Sequence, residues 1–477
     1  MDTSLQKLRT QLGLSGRPVV AVQGLGFVGA AMAVVTAAAR TPAGQPCFDV
    51  IGVDLDTPQG RERVRCIANG IFPFASPDPK ITDALSAAHR CGNLVATTDA
   101  AAFRLANIAV VDVHLDLSPA SDEASSVEFG AFEAAIRTLG RELPAGALVV
   151  VETTVPPGTC ANVVAPALKH ELRQRKMPED SILLAHSYER VMPGPDYFDS
   201  IVNFWRVYAG HTAAAADACE LFLSRIVNTR KYPLRRLAST TASETAKVLE
   251  NSYRAANIAF IEEWGRFAEA VGVDLFEVLS AVRDRPTHNN IRQPGFGVGG
   301  YCLTKDPLFA LAASRKFLPN SKLDFPFSKM AIAVNRKMPV VNVERIEQFT
   351  GSLAGKTVIM LGVAYRSEVD DTRNAPAEQF YRELARRGAH VVCHDPFVRH
   401  WKELNIDLIE NLPDPADADI VAFTVPHKAY CNLDVLAWLH GSKPFIYDCD
   451  DILSDQKRAE LRASGLIVES TGRGVGL

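Results

Sequence analysis

The chain has 477 residues, 47% hydrophobic and 22% charged, and a formal net charge of −4. That length exceeds one hydrophobic core and predicts about three domains, and the composition is that of an ordinary globular protein. The mildly negative balance, without a long Lys/Arg run, argues against nucleic acid as a partner. Nine irregularly spaced cysteines read as reduced thiols in a cytoplasmic protein, and no paired Cys/His cluster proposes a metal.

In chain order, the first feature is ambiguous. Val19 to Ala39, "VVAVQGLGFVGAAMAVVTAAA", is uncharged and follows Lys7, Arg9 and Arg17. It is long enough to span a bilayer, which takes about 20 residues. Gly24, Gly26 and Gly29 come directly after a β-branched run, however. A buried parallel strand turning into a helix explains the same hydrophobicity, so no membrane partner is expected.

From residue 18 to about 210, strand-like runs alternate with helical patterns: "VVAVQG", "FDVIGVDLD", "IAVVDVHLD", "ALVVVET", "SILLAHS" and "WRVYAG". Helical periodicity then dominates to about 350, above all in "SETAKVLENSYRAANIAFIEEWGRFAEAVG", which ends at Gly272 as at a C-cap. Alternation returns in "KTVIMLGVAY", "AHVVCHDP", "DIVAFTV" and "PFIYDCDD". The expected fold is α/β: two Rossmann-like domains joined by a helical central region with a long helix. The expected divisions are 1–211, 212–350 and 351–477.

GxGxxG at Gly24, Gly26 and Gly29, with Phe27 and Val28 inside it, follows a strand and opens a helix. That context suits a pyrophosphate at a helix N-terminus, hence NAD as cofactor. Asp54, closing the next strand, is the candidate for the adenosine ribose, with Asp56 as the alternative. On the long helix, Lys247 and Asn251 lie four apart and share a face. Further on, "GFGVGGYCLTKDP" (residues 295–307) concentrates glycine before Cys302, and Pro307 suits a first helical turn. Such a loop would deliver the thiol near a helix N-terminus, where its pKa falls.

Together with "GLGFVG", "ANGIFPF", "LVATTDAAAF", "ETTVPPGT", "YERVMPG", "TAKVLENSYRAANIAF", "GVAYRSEVDDTRNAP" and "CHDPFV", these segments resemble the UDP-glucose/GDP-mannose dehydrogenase family over nearly the whole chain. The resemblance implies an NAD-dependent oxidation of a nucleotide sugar's primary alcohol to a carboxylate, using two NAD without free aldehyde. It also implies a homodimer or higher homo-oligomer paired on the long helix. Cys302 would be the nucleophile and Lys247 and Asn251 would stabilise an oxyanion. Asp306, in the Cys-x-x-x-Asp position, would orient water or Lys247, or cap the helix at Pro307. Glu189 on the substrate loop would assist water or base steps, and Arg190 and Val191 beside it are candidate substrate contacts. Arg292, Gly299 and Arg366 are further substrate candidates, with Arg283, Arg285 and Asn290 nearby. Arg373 would approach NAD, or else pair with Asp370 or Asp371.

Departures from the family pattern are equally specific. The Pro-Thr-Pro-like turn reads "VDVHLDLSP", with His114 to Asp116, and the proline before the glutamate is Tyr188. The glucose branch's second glutamate is Pro193, and the "VVDxRN"-like segment reads "IYDCDD". Pro193 and "HNNIRQPGFGVGGYC" resemble the branch acting on UDP-N-acetylhexosamines more than the glucose branch. The alternative expectation is a catalytically silent homologue that binds nucleotide sugars.

Overall fold

The computed structural model describes residues 3–117, 126–192 and 194–476. It divides into two compact units, Met1–Leu249 with Phe309–Asp324, and Glu250–Leu308 with Phe325–Leu477.

The first unit is built on eight strands: β1 (Val19–Gln23), β2 (Asp49–Val53), β3 (Leu94–Thr97), β4 (Ile108–Val111), β5 (Leu148–Val151), β6 (Leu183–His186), β7 (Val207–Gly210) and β8 (Arg235–Arg236). Their order is β3-β2-β1-β4-β5-β6-β7-β8, and every pairing is parallel except β6 with β7. Helices cover both faces, so side chains alternate between two cores: Val20 and Val22 enter one, Val19 and Ala21 the other. Two-sided burial explains why the strands read as continuous apolar runs. β3 and β8 were not legible in sequence, being short and, in β8, exposed and charged.

The ambiguous apolar stretch resolves into β1 and the helix Phe27–Ala38, which buries Gly29 to Ala37 without a break. Among the described residues, no helix is long and apolar enough to cross a membrane.

The second unit holds β9 (Thr357–Leu361), β10 (His390–His394), the small antiparallel pair β11 (His400–Trp401) and β12 (Ile406–Asp407), β13 (Ile420–Phe423), β14 (Phe445–Asp448) and β15 (Val468–Ser470). Its main sheet runs β10-β9-β13-β14-β15, all parallel. Val358 and Met360 face one core and Ile359 and Leu361 the other, so both units are doubly wound. The long helix Thr240–Val271 stops at Gly272, whose φ of +76° provides the left-handed terminus. A second long helix, Pro326–Thr350, carries Pro339 in its interior.

The two sheets share a device. Asp54, directly after β2, accepts a hydrogen bond from the Leu25 amide (3.2 Å) in the loop after β1. Asp395, directly after β10, accepts from the Val363 (2.8 Å) and Ala364 (3.1 Å) amides in the loop after β9.

Candidate active site

In the first unit, Gly24 has φ +93° and its amide donates to the Val53 carbonyl at 2.8 Å. A Cβ there would stand 2.6 Å from the Asp112 carbonyl oxygen. A Cβ on Gly26 would lie 3.4 Å from Nε2 of His114, so an imidazole faces the central glycine. A Cβ on Gly29 would overlap the Gly24 carbonyl oxygen. This is a cradle of bare backbone at a helix N-terminus, and it fits a dinucleotide pyrophosphate. Phe27 stacks on Phe74 with ring centroids 4.0 Å apart, and its carbonyl accepts from the Tyr197 hydroxyl at 2.5 Å. Val28 is half-buried beside it. Asp54 is half-buried and faces Arg63 at 3.3 Å, whereas Asp56 is exposed and pairs with Arg61. Gly29→Ala is expected to cost about 2 kcal/mol or more by overpacking, lowering Tm by about 4–8 °C and abolishing NAD binding. Calorimetry and a cofactor titration check both.

Lys247 is 7% exposed and Glu189 8%. The Lys247 ammonium donates to the Glu189 carbonyl at 2.8 Å and stands 3.8 Å from its carboxylate, 5.4 Å from the centre of the Tyr188 ring. The other Glu189 oxygen accepts from the Val191 amide. Arg190 lies over the Tyr188 and Phe204 rings and donates to the Trp205 carbonyl. The start of the long helix is anchored by groups that sequence reasoning missed. Glu244, fully buried, accepts from the Gly158 (2.5 Å) and Cys160 (2.7 Å) amides. Ser243 Oγ bonds Nδ1 of His186 at 2.8 Å. Ser243 precedes Lys247 by four residues, and that shared helix face was the signal available. Burial, and then the Lys247 charge, push the His186 pKa down to about 3, so this imidazole is neutral. Asp112, under the glycine loop, is held well above the usual carboxylate range by burial and by the Glu189 charge, against the opposing pull of Arg206. Arg206 itself pairs with Glu152. Pro193 lies outside the described residues.

In the second unit, the glycine loop meets the segment 365–376. A Cβ on Gly297 would come within 2.9 Å of Pro376, and one on Gly299 within 2.7 Å of Tyr365 Cβ and 3.0 Å of the Asn374 carbonyl. Gly300, at φ +80°, donates to the Arg373 carbonyl (3.2 Å) and accepts from the Asn374 side chain (3.3 Å). The glycines are thus required by close approach of Tyr365, Pro376 and the Asn374 carbonyl.

Cys302 is exposed at the end of this loop. Its carbonyl accepts from the Lys305 (3.1 Å) and Asp306 (2.9 Å) amides, which turns the chain into the 3-10 segment Asp306–Leu308 and then the helix Phe309–Phe317. Asp306 is fully buried. One carboxylate oxygen accepts from the Asn251 side chain at 2.8 Å and the other meets Lys305 at 3.0 Å. Tyr365, also missed in sequence, has its phenol pKa raised by burial and then by Asp371, with a smaller contribution from Cys302.

Arg373 forms a two-point pair with Asp371, at 2.9 and 2.6 Å. Arg292 and Arg366 are exposed, and with them stands Arg254, which sequence reasoning passed over. Burial, then the charges of Arg292 and Arg366, lower its guanidinium pKa. Its signal was position: three residues after Asn251, on the same helix face. Asn257 fixes the neighbouring segment, donating to the Asn290 carbonyl (3.1 Å) and accepting from the Arg292 amide (3.0 Å). Arg283 donates to the Ile291 carbonyl at 2.8 Å, and Arg285 is exposed. Among the described residues, no group of three His, Cys, Asp or Glu could hold a metal.

Comparison with known proteins agrees with this geometry. The UDP-glucose/GDP-mannose dehydrogenase family's NAD binding domain matches residues 19–223, its central domain 241–337 and its UDP binding domain 359–455. A UDP-N-acetyl-D-mannosamine dehydrogenase of Pyrococcus horikoshii is 30% identical over 419 residues, covering 87% of this chain and 91% of the relative. The solved structure of UDP-D-ManNAc dehydrogenase from that organism has a TM-score of 0.78 at 27% identity, covering 95% of this chain and 99% of its own. An NDP-N-acetyl-D-galactosaminuronic acid dehydrogenase from Methanosarcina mazei Go1 has a TM-score of 0.77 at 25% identity, covering 99% and 98%. With a glycine cradle for NAD in one unit, a cysteine-bearing loop in the other and all three family domains matched in order, the chain belongs to the UDP-glucose/GDP-mannose dehydrogenase family.

Proposed function

We propose that this protein oxidises the primary alcohol of a UDP-N-acetylhexosamine to the uronic acid, with UDP-glucose as the alternative substrate, and so supplies precursors for polysaccharide synthesis. The observation that carries the reading is the exposed Cys302 four residues before a buried Asp306 held by Asn251. The N-acetylated substrates named for the relatives support the choice of sugar.

NAD, when bound at Gly24, Gly26, Gly29 and Asp54, supplies the hydride acceptor for each oxidation. The chain's own residues do the rest. The Cys302 thiolate adds to the aldehyde carbon, the carbonyl electron pair moves to oxygen, and a thiohemiacetal holds the half-oxidised sugar. The Lys247 ammonium and the Asn251 amide stabilise that oxyanion. At the thioester stage, water adds at the same carbon, the C–S bond breaks, and the thiolate is regenerated. Glu189 accepts the proton of the attacking water, while Asp306, through Asn251, orients the amide. Arg254, Arg292 and Arg366 suit the substrate diphosphate, with Arg190 and Val191 at the sugar loop and Arg373 near the cofactor.

The deciding assay counts NADH per sugar over UDP-N-acetylmannosamine, UDP-N-acetylgalactosamine, UDP-glucose and GDP-mannose. Two NADH per sugar are expected with one of the UDP-N-acetylhexosamines. One NADH per sugar would remove the covalent relay, and tight binding without NADH would make the protein a silent binder.

The protein is also proposed to work as a homodimer. Phe260, Trp264 and Phe267 on the long helix are 50%, 48% and 57% exposed, an aromatic stripe of a kind that marks interfaces. Sedimentation at micromolar concentration is expected to give a dimer, and Trp264→Glu a monomer.

A further inference from the structure

The Cys302 loop is fastened at its entry by a carboxyl group that the proposed chemistry does not use. Asp450 follows β14 within the divergent "IYDCDD" segment. Its Oδ1 accepts from the Phe296 amide at 3.2 Å. A Cβ on Gly295 would stand 2.5 Å from that same oxygen, so the carboxyl fills the space that glycine leaves open. Phe296 is buried and packs edge-on against Phe380, with ring centroids 5.2 Å apart. Asp450 therefore grips the loop at the point where it is anchored in the core, six residues before Cys302.

We propose that Asp450 is a positioning residue whose ionised carboxyl holds the entry of the Cys302 loop, so that the order of the loop follows the protonation of this one group. The role rests on the reading of Cys302 as nucleophile. The surroundings favour a proton exchanged near neutrality. Asp448 and Asp451 face Asp450 from its own segment, and the neighbouring cations are engaged elsewhere. Arg458 pairs with Asp448, Asp451 and Asp455, Arg473 with Asp451 and Asp274, and Arg345 with Glu269. Among the described residues, no cation pairs with Asp450. Burial first, then the charges of Asp448 and Asp451, push its pKa up to about 7, with the Phe296 amide pulling the other way.

The sign has a consequence that separates this role from a structural one. A carboxyl with a raised folded pKa contributes stability that is fully present below its ordinary value and lost as pH rises through about 7. The Phe296 bond behaves oppositely. It is charge-assisted above pH 7 and weakens as the carboxyl takes up its proton. Raising the pH should thus lower the global stability contribution of Asp450 while tightening the loop.

Hydrogen exchange of the peptide covering residues 294–304 in the full-length protein tests this, corrected for intrinsic exchange. Protection is expected to rise about fivefold from pH 6 to pH 8 in the wild type and to stay level in Asp450→Asn. A level wild-type profile, or an unchanged slope in Asp450→Asn, overturns the proposal. If Asp450→Asn does not fold, Gly295→Ala, whose methyl displaces Oδ1, must flatten the same slope. Counting NADH in parallel keeps the claims apart: turnover without the exchange signature removes the role of Asp450, and the signature without turnover removes that of Cys302.

Discussion

Cys302→Ser is expected to lower formation of the sugar acid by about 10³-fold or more, with NADH per sugar falling below two. A serine hydroxyl is neither ionised near neutral pH nor a good leaving group, so both formation and breakdown of the covalent adduct are lost. Because Cys302 is exposed, the exchange should leave Tm nearly unchanged, within about 0.5 kcal/mol of stability. Calorimetry on the same preparation then excludes unfolding as the cause. Mass spectrometry of a reaction quenched midway should find the sugar on the peptide carrying Cys302. Buried thiols do not compete, since burial pushes those of Cys219 and Cys393 up to about 12. Full conversion by Cys302→Ser, or an adduct on another peptide, would refute the covalent relay.

Lys247→Met carries the second large effect, in stability and rate together. The cation and Glu189 are both buried, so its removal leaves a carboxylate without its neighbouring ammonium. Breaking a buried pair in this way costs about 3–5 kcal/mol. Loss of the oxyanion's electrostatic partner is expected to reduce kcat by about 10²–10³, with NAD affinity unchanged. Lys247→Arg separates the two effects. It keeps a cation beside Glu189, so much of the lost stability should return, while kcat stays low because a planar guanidinium does not replace the compact ammonium at the oxyanion. If kcat recovers along with Tm, any buried cation suffices and the oxyanion is not held by the Lys247 ammonium itself.

What could be read from the chain alone was whatever has a short-range cause. β1, β2, β4 and β5 are buried on both faces, so their residues must be apolar without alternation. Gly24 needs a positive φ and Gly272 ends a helix, and both demands are local. Spacing likewise puts Lys247 and Asn251 on one face of the long helix. The partners of these residues were another matter. Gly299 is a substrate candidate in the sequence, and only the fold shows that it and Gly297 give room to Tyr365 and Pro376. Arg373 meets Asp371, as one of its two expected readings had it. Ser243 showed only its shared helix face with Lys247, while His186 and Glu244, which anchor the start of that helix, and Asp450, which grips the loop, carried no pattern of their own. Periodicity reports which side of an element is covered, because that depends on a few neighbours along the chain. Which group covers it is chosen by segments tens to hundreds of residues away, brought within hydrogen-bond reach only when the sheets and helices pack.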